Sequence, residues 1–190
     1  GANANRHRAN MLAKILLCDN YLGRPVSFSR SQVDALTGGT VEEVIANTPL
    51  CTNCHSTLDP LSAHFFGFWW EIEGGLIEQT TYRPEDEEMW KDYANKSLAY
   101  YGTPTSSLTE LGVELANDER FVQCTVRRFY DSLHQTYTDE SDWDMLAEHK
   151  AAFDDSGLVV RELVRSIVMA PEYVVKEVTE EELLGEVTTI

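Results

Sequence analysis

The chain has 190 residues, 43% of them hydrophobic, enough for a buried core in one domain or in two small ones sharing an interface. Its 32 Asp plus Glu against 15 Lys plus Arg give a formal charge of -17, a field that repels phosphate backbones and anionic headgroups and so excludes nucleic acid as a partner. No apolar run approaches the ~20 residues that span a bilayer, and the start Gly1-Ala2-Asn3-Ala4-Asn5 lacks a basic-then-apolar leader, so the sequence reads as a fragment or mature form, not itself membrane-spanning.

From Arg6 to about Leu22 the apolar residues Met11, Leu12, Ile15 and Leu16 recur at helical spacing, predicting a first helix that stops at Gly23-Arg24-Pro25. Further on, Thr40-Val41-Glu42-Glu43 fits a capping box opening a short helix, which delivers the chain to Pro49-Leu50-Cys51. Leu58-Asp59-Pro60-Leu61 reads as a turn. The run Phe65-Phe66-Gly67-Phe68-Trp69-Trp70 places five aromatics in six positions, and such rings need apolar neighbours. Gly74 to Gly102 has weak periodicity and reads as long irregular structure with one short helix begun by Pro84.

The last third is more regular. Ser107 with Glu110 caps a helix through about Ala116, and Phe121, Val122, Val126, Phe129, Tyr130 and Leu133 mark a longer one. Trp143, Leu146 and Phe153, then Leu158, Leu163, Ile167 and Val168, mark two more, separated by Asp154-Asp155-Ser156-Gly157. The expected fold class is mainly α, with long irregular segments and a C-terminal helical bundle.

Chemistry concentrates at Cys51-Thr52-Asn53-Cys54-His55. Two thiols three positions apart on one helical turn can each add to a haem vinyl group, and His55 then offers its imidazole to the iron as the proximal ligand from the same side. Random placement of four Cys and five His gives this pattern in roughly one sequence in 500, so chance is a weak competitor. A structural zinc site needs two more ligands, which only Cys18 and Cys124 offer as thiols. A thioredoxin-like dithiol needs a strand-to-helix junction that the preceding sequence does not contain. The expectation is one covalent haem c, made outside the cytoplasm, in a periplasmic or extracellular protein. That setting leaves Cys18 and Cys124 either as a disulfide or as two buried thiols.

Leu16-Leu17-Cys18, then Thr48-Pro49-Leu50-Cys51-Thr52-Asn53-Cys54-His55-Ser56-Thr57-Leu58-Asp59-Pro60-Leu61, and later Phe121-Val122-Gln123-Cys124 with Arg127-Arg128-Phe129-Tyr130, resemble the C-terminal part of the large secreted multidomain cytochromes of planctomycetes and myxobacteria. The resemblance spans most of residues 6–174 and rests chiefly on the Cys-x-x-Cys-His followed by Leu-Asp-Pro-Leu. It implies a helix-rich, periplasmic or surface-exposed c-type cytochrome module, normally joined to further domains. That family often continues into Gly-Phe and an acidic Glu-Asn-Phe-Asp stretch, whereas this chain has Ser62-Ala63-His64-Phe65-Phe66-Gly67-Phe68-Trp69. Together these readings give a haem-binding, cytochrome c-like region over 1–103, a helical bundle packed on it over 104–174, and an acidic tail over 175–190. Pro60 and Leu61 are expected to pack on the haem.

A carrier usually has a second axial ligand, because a six-coordinate iron changes shape little between oxidation states. Met89, downstream of His55, is the first candidate; Met169, Met145 and His64 are the alternatives. Met145 and Met169 also fit apolar helix faces, and His134 and His149 read as surface residues. Three functions follow: electron transfer with a redox partner protein or other cytochrome domains; a haem enzyme or ligand sensor with an open sixth site, in which His64 or Glu71 would serve as acid or base; or an interaction subunit of an extracellular or membrane-associated assembly. Nothing in the sequence names a catalytic residue, and the first of these readings is the expected one.

Overall fold

The computed structural model describes residues 2–25, 41–68, 71–73, 76–78, 82–93 and 96–173. Among them it is mainly helical, as expected, with eight α-helices, four short 3-10 turns and two small antiparallel hairpins. The chain divides into two compact units, Gly1–Cys124 and Thr125–Ile190. Predicted features at Thr40, Trp69, Trp70 and in the acidic tail lie outside the described residues.

In the first unit, helix α1 (Ala2–Leu16) packs against helix α3 (Pro49–Ser62), with α2 (Val41–Asn47) leading into it. Helix α1 ends six residues before the predicted stop. Cys18 adopts φ 53°, and the Asp19 amide reaches back to the Ala13 carbonyl, so the chain closes the helix with a left-handed residue although no glycine is present to announce it. A 3-10 turn at Tyr21–Gly23 follows.

Helix α3 begins with Pro49 in its first turn, where a missing amide hydrogen costs nothing. It then runs through Leu58-Asp59-Pro60-Leu61, so the predicted turn is helical instead. A proline inside a helix costs about 3 kcal/mol, because Pro60 has no amide hydrogen to give the Ser56 carbonyl and its ring crowds that carbonyl. Leu58, Pro60 and Leu61 are all buried, and each large apolar side chain buried contributes about 1.5–3 kcal/mol, which outweighs that cost.

The core of this unit joins Ala9, Ala13, Leu17 and Tyr21 to Leu58, Leu61 and Phe65, and to Tyr100, Leu111 and Leu115. A 3-10 turn at Ala63–Phe68 continues from α3 and packs against a second one at Pro84–Met89, which runs into the single-turn helix α4 (Trp90–Tyr93). The hairpins pair β1 (Glu71–Glu73) with β2 (Leu76–Glu78), and β3 (Ala99–Tyr100) with β4 (Thr103–Pro104). Helix α5 (Leu108–Asn117) starts at the predicted cap: the Glu110 amide donates to Ser107 Oγ at 3.2 Å. Helix α6 (Glu119–His134) carries Cys124, whose sulfur stands at bonding distance from that of Cys18, 2.15 Å with the Cα atoms 5.3 Å apart.

The second unit holds α7 (Trp143–Asp155) and α8 (Val160–Val168), packed on each other and joined by a turn in which Gly157 and Leu158 both have positive φ. Val126, Tyr130, Leu146, Phe153, Leu163 and Ile167 are its buried apolar residues. His149 belongs with them rather than on the surface: it is 3% exposed and its Nδ1 lies 2.8 Å from Ser166 Oγ. The stripe Leu146, His149 and Phe153 has helical spacing, so that burial had a signal in the sequence. His134 stacks on Tyr130 with ring centroids 4.0 Å apart and its Nε2 buried.

Candidate haem-attachment site

Helix α3 places Cys51, Cys54, His55 and Leu58 at i, i+3, i+4 and i+7, a stripe roughly 100° wide. Leu58 anchors that stripe in the core, and Cys54 packs partly buried at the core's edge. Cys51 and Cys54 are both free thiols, half-buried, one helical turn apart. Tyr21 ties the preceding loop to this helix through its hydroxyl, 3.0 Å from Thr57 Oγ1. Arg24 lies over the Tyr21 ring at 4.2 Å and donates twice to Asp19, at 2.7 and 2.8 Å.

His55 is fixed by an acidic residue on its own helix: its Nδ1 lies 2.9 Å from Asp59 Oδ1. Arg6, on α1, grips the same carboxylate with two bonds, Nε to Oδ1 at 2.6 Å and Nη2 to Oδ2 at 3.1 Å. Burial alone would raise the Asp59 carboxyl, but the hydrogen bonds from His55 and Arg6 and their charges outweigh it and hold the carboxyl below its ordinary value. An ionised carboxylate only accepts, so His55 Nδ1 is the donor in this contact, and in the neutral ring Nε2 carries the lone pair. The sequence pattern points to neither Arg6 nor Asp59 as a site residue. The available signal was an acid four residues after the histidine, and it counts only once the segment is known to be helical.

The donor set suits covalent haem attachment: two thiols outside any disulfide and an imidazole whose Nδ1 is held by Asp59 share one helix face. It does not suit a tetrahedral zinc site built with Cys18 and Cys124, because those two sulfurs lie at bonding distance from each other. No group of three or more His, Cys, Asp or Glu residues arranged to hold a metal ion occurs among the described residues.

The remaining predicted residues are placed as follows. Leu61 is fully buried in the core and Pro60 is buried beside it. Met89 is half-buried at the end of the Pro84–Met89 turn, whose main neighbour is the Ala63–Phe68 turn. His64 is buried with both ring nitrogens engaged, Nδ1 3.0 Å from the Leu61 carbonyl and Nε2 2.7 Å from Thr105 Oγ1. Burial pushes its basicity down, and bonds to the Leu61 and Pro60 carbonyls offset this only in part. It lines a cleft of about 290 Å³ with Glu87, Trp90, Lys91 and Leu98, to which no residue of the Cys51–His55 segment contributes. Phe65 and Phe66 are buried, and Phe68 packs on Tyr82 with centroids 4.9 Å apart. In the second unit, Met145 Sδ accepts the Tyr130 hydroxyl at 3.0 Å, and Met169 is 77% exposed. The side chain of Glu71 lies outside the described residues.

No helix among the described residues is long and apolar enough to cross a membrane. Comparison with known protein families, curated proteins and solved structures gives no match for this chain.

Proposed function

We propose that this chain is a monohaem c-type cytochrome domain that transfers electrons outside the cytoplasm, as a module or subunit of a larger redox protein or assembly. The observation that carries the reading is the shared helix face of Cys51, Cys54 and His55, with His55 Nδ1 committed to Asp59 so that Nε2 is the free donor. The Cys18–Cys124 pair agrees with it, since disulfides persist in the compartments where haem c is made.

The chain's own residues have three tasks. Cys51 and Cys54 would hold a haem through two thioether bonds, each thiol adding its sulfur and its hydrogen across one vinyl group with no net oxidation. His55 would offer its imidazole nitrogen to the iron from the same helical turn. Leu58 holds that turn against the core and so fixes where the donors point. When bound, the haem contributes an iron that carries one electron between two oxidation states.

The test is a pyridine haemochrome spectrum of the chain made with a c-type maturation system, followed by reduced spectra with and without carbon monoxide. A covalent c-type signature lost in Cys51→Ala/Cys54→Ala, with no carbon monoxide shift, supports the carrier. Absence of covalent haem refutes it. A carbon monoxide shift supports the second reading, an enzyme or sensor with an open sixth site, which is favoured by His64 and Met145 already having hydrogen-bond partners.

A further inference from the structure

We propose that Asp59, braced by Arg6, is the positioning residue for His55: it fixes the Nδ1–H tautomer and, in the loaded protein, sets how strongly Nε2 donates to iron. This rests on the haem reading above.

The contact is over-determined in a way that a chance surface pair is not. Asp59 sits one helical turn after His55, so α3 itself brings the carboxylate to the ring. Arg6 comes from a different helix, 53 residues away in sequence, and binds both carboxylate oxygens. The carboxylate therefore cannot swing away from His55 without breaking a bidentate ion pair between α1 and α3. The Asp59 side chain is 13% exposed, so the interaction is sheltered from bulk water and weakly screened. A carboxylate on the outer nitrogen of a metal-binding histidine fixes the ring and raises its basicity. Arg6 works in the opposite sense, since it draws on the same Oδ1 that accepts from His55.

That opposition gives a signed prediction. A stronger donor favours the oxidised, more positive iron and lowers the reduction potential. Asp59→Asn removes the charge and should raise the potential, whereas Arg6→Gln frees the carboxylate for His55 and removes a positive charge, and should lower it. A merely structural ion pair would move both variants the same way through loosened packing.

Two measurements separate this from the haem reading. In the haem-free chain labelled with nitrogen-15, above the ordinary imidazole range, long-range correlation spectra should show His55 as the Nδ1–H tautomer; Asp59→Ala should shift it to a mixture. In the loaded chain, redox titration should show the opposite shifts of Asp59→Asn and Arg6→Gln, with Arg6→Gln serving alone if the first variant does not fold. A tautomer indifferent to Asp59, or normally loaded variants with unchanged or same-signed potentials, overturns the proposal. No covalent haem in the unaltered chain overturns the haem reading, and the tuning with it, whatever the tautomer spectra show.

Discussion

Asp118 shows how much one side chain can organise. It precedes α6 and caps it, its Oδ1 accepting the Arg120 amide at 2.9 Å, while the Arg120 guanidinium and the Tyr100 hydroxyl bind the same carboxylate. The Arg120 hydrogen bond chiefly, against burial and with help from Tyr100, takes the Asp118 carboxyl to about 2. Asp19 also lies near Arg120, at 4.0 Å. A carboxyl depressed in the folded state adds stability that is fully present above its unfolded value and is lost as pH falls through the folded one. Unfolding midpoints of the unaltered chain should therefore fall between about pH 4 and pH 2, and Asp118→Asn should flatten that limb while lowering stability near neutrality by about 1 kcal/mol for the weakened cap. Chemical denaturation across that pH series checks both expectations.

Contacts between short elements decide the middle of the first unit. Gly67 is where the Ala63–Phe68 turn meets the chain entering Pro84–Met89: its carbonyl accepts the Arg83 amide at 2.8 Å. A Cβ at Gly67 would lie 2.5 Å from Tyr82 Cε2 and 3.1 Å from the Arg83 carbonyl, and the Tyr82 ring is already packed on Phe68. Gly67→Ala should thus cost about 1–3 kcal/mol, read from denaturant midpoints at unchanged m-value. Gly112 has open space around its Cβ position, and Gly112→Ala in helix α5 should be neutral or stabilising by up to about 1 kcal/mol. The elements of the last third were legible because periodicity and caps are local: Ser107 caps α5 where the sequence placed it, and the two last helices are separate, although the break falls at Ser156-Gly157-Leu158-Val159, two residues after the predicted start. The end of α1 and the course of Leu58-Asp59-Pro60-Leu61 were not legible, since a left-handed cysteine and a proline in a last helical turn are held by packing that no local pattern encodes.

Across the whole molecule, each compact unit has its own buried side chains, and the Cys18–Cys124 pair lies within the first, spanning 106 positions of sequence. Closing so long a loop restricts the unfolded chain, so Cys18→Ala/Cys124→Ala should cost about 2–5 kcal/mol, seen as a lower unfolding midpoint that reductant no longer changes. Leu163→Ala, at a fully buried position of the second unit, should cost a similar 2–5 kcal/mol that is insensitive to reductant. The sequence by itself determined the mainly helical class and the spacing Cys51-x-x-Cys54-His55, because period and motif are properties of neighbouring residues. Only the tertiary structure decided that Arg6 holds Asp59 against His55, that Cys18 meets Cys124, and that His64 and His149 are buried with partners. Those are pairings between residues far apart or set on one face by a helix, and packing α1 on α3 is what brings the first of them within bonding distance.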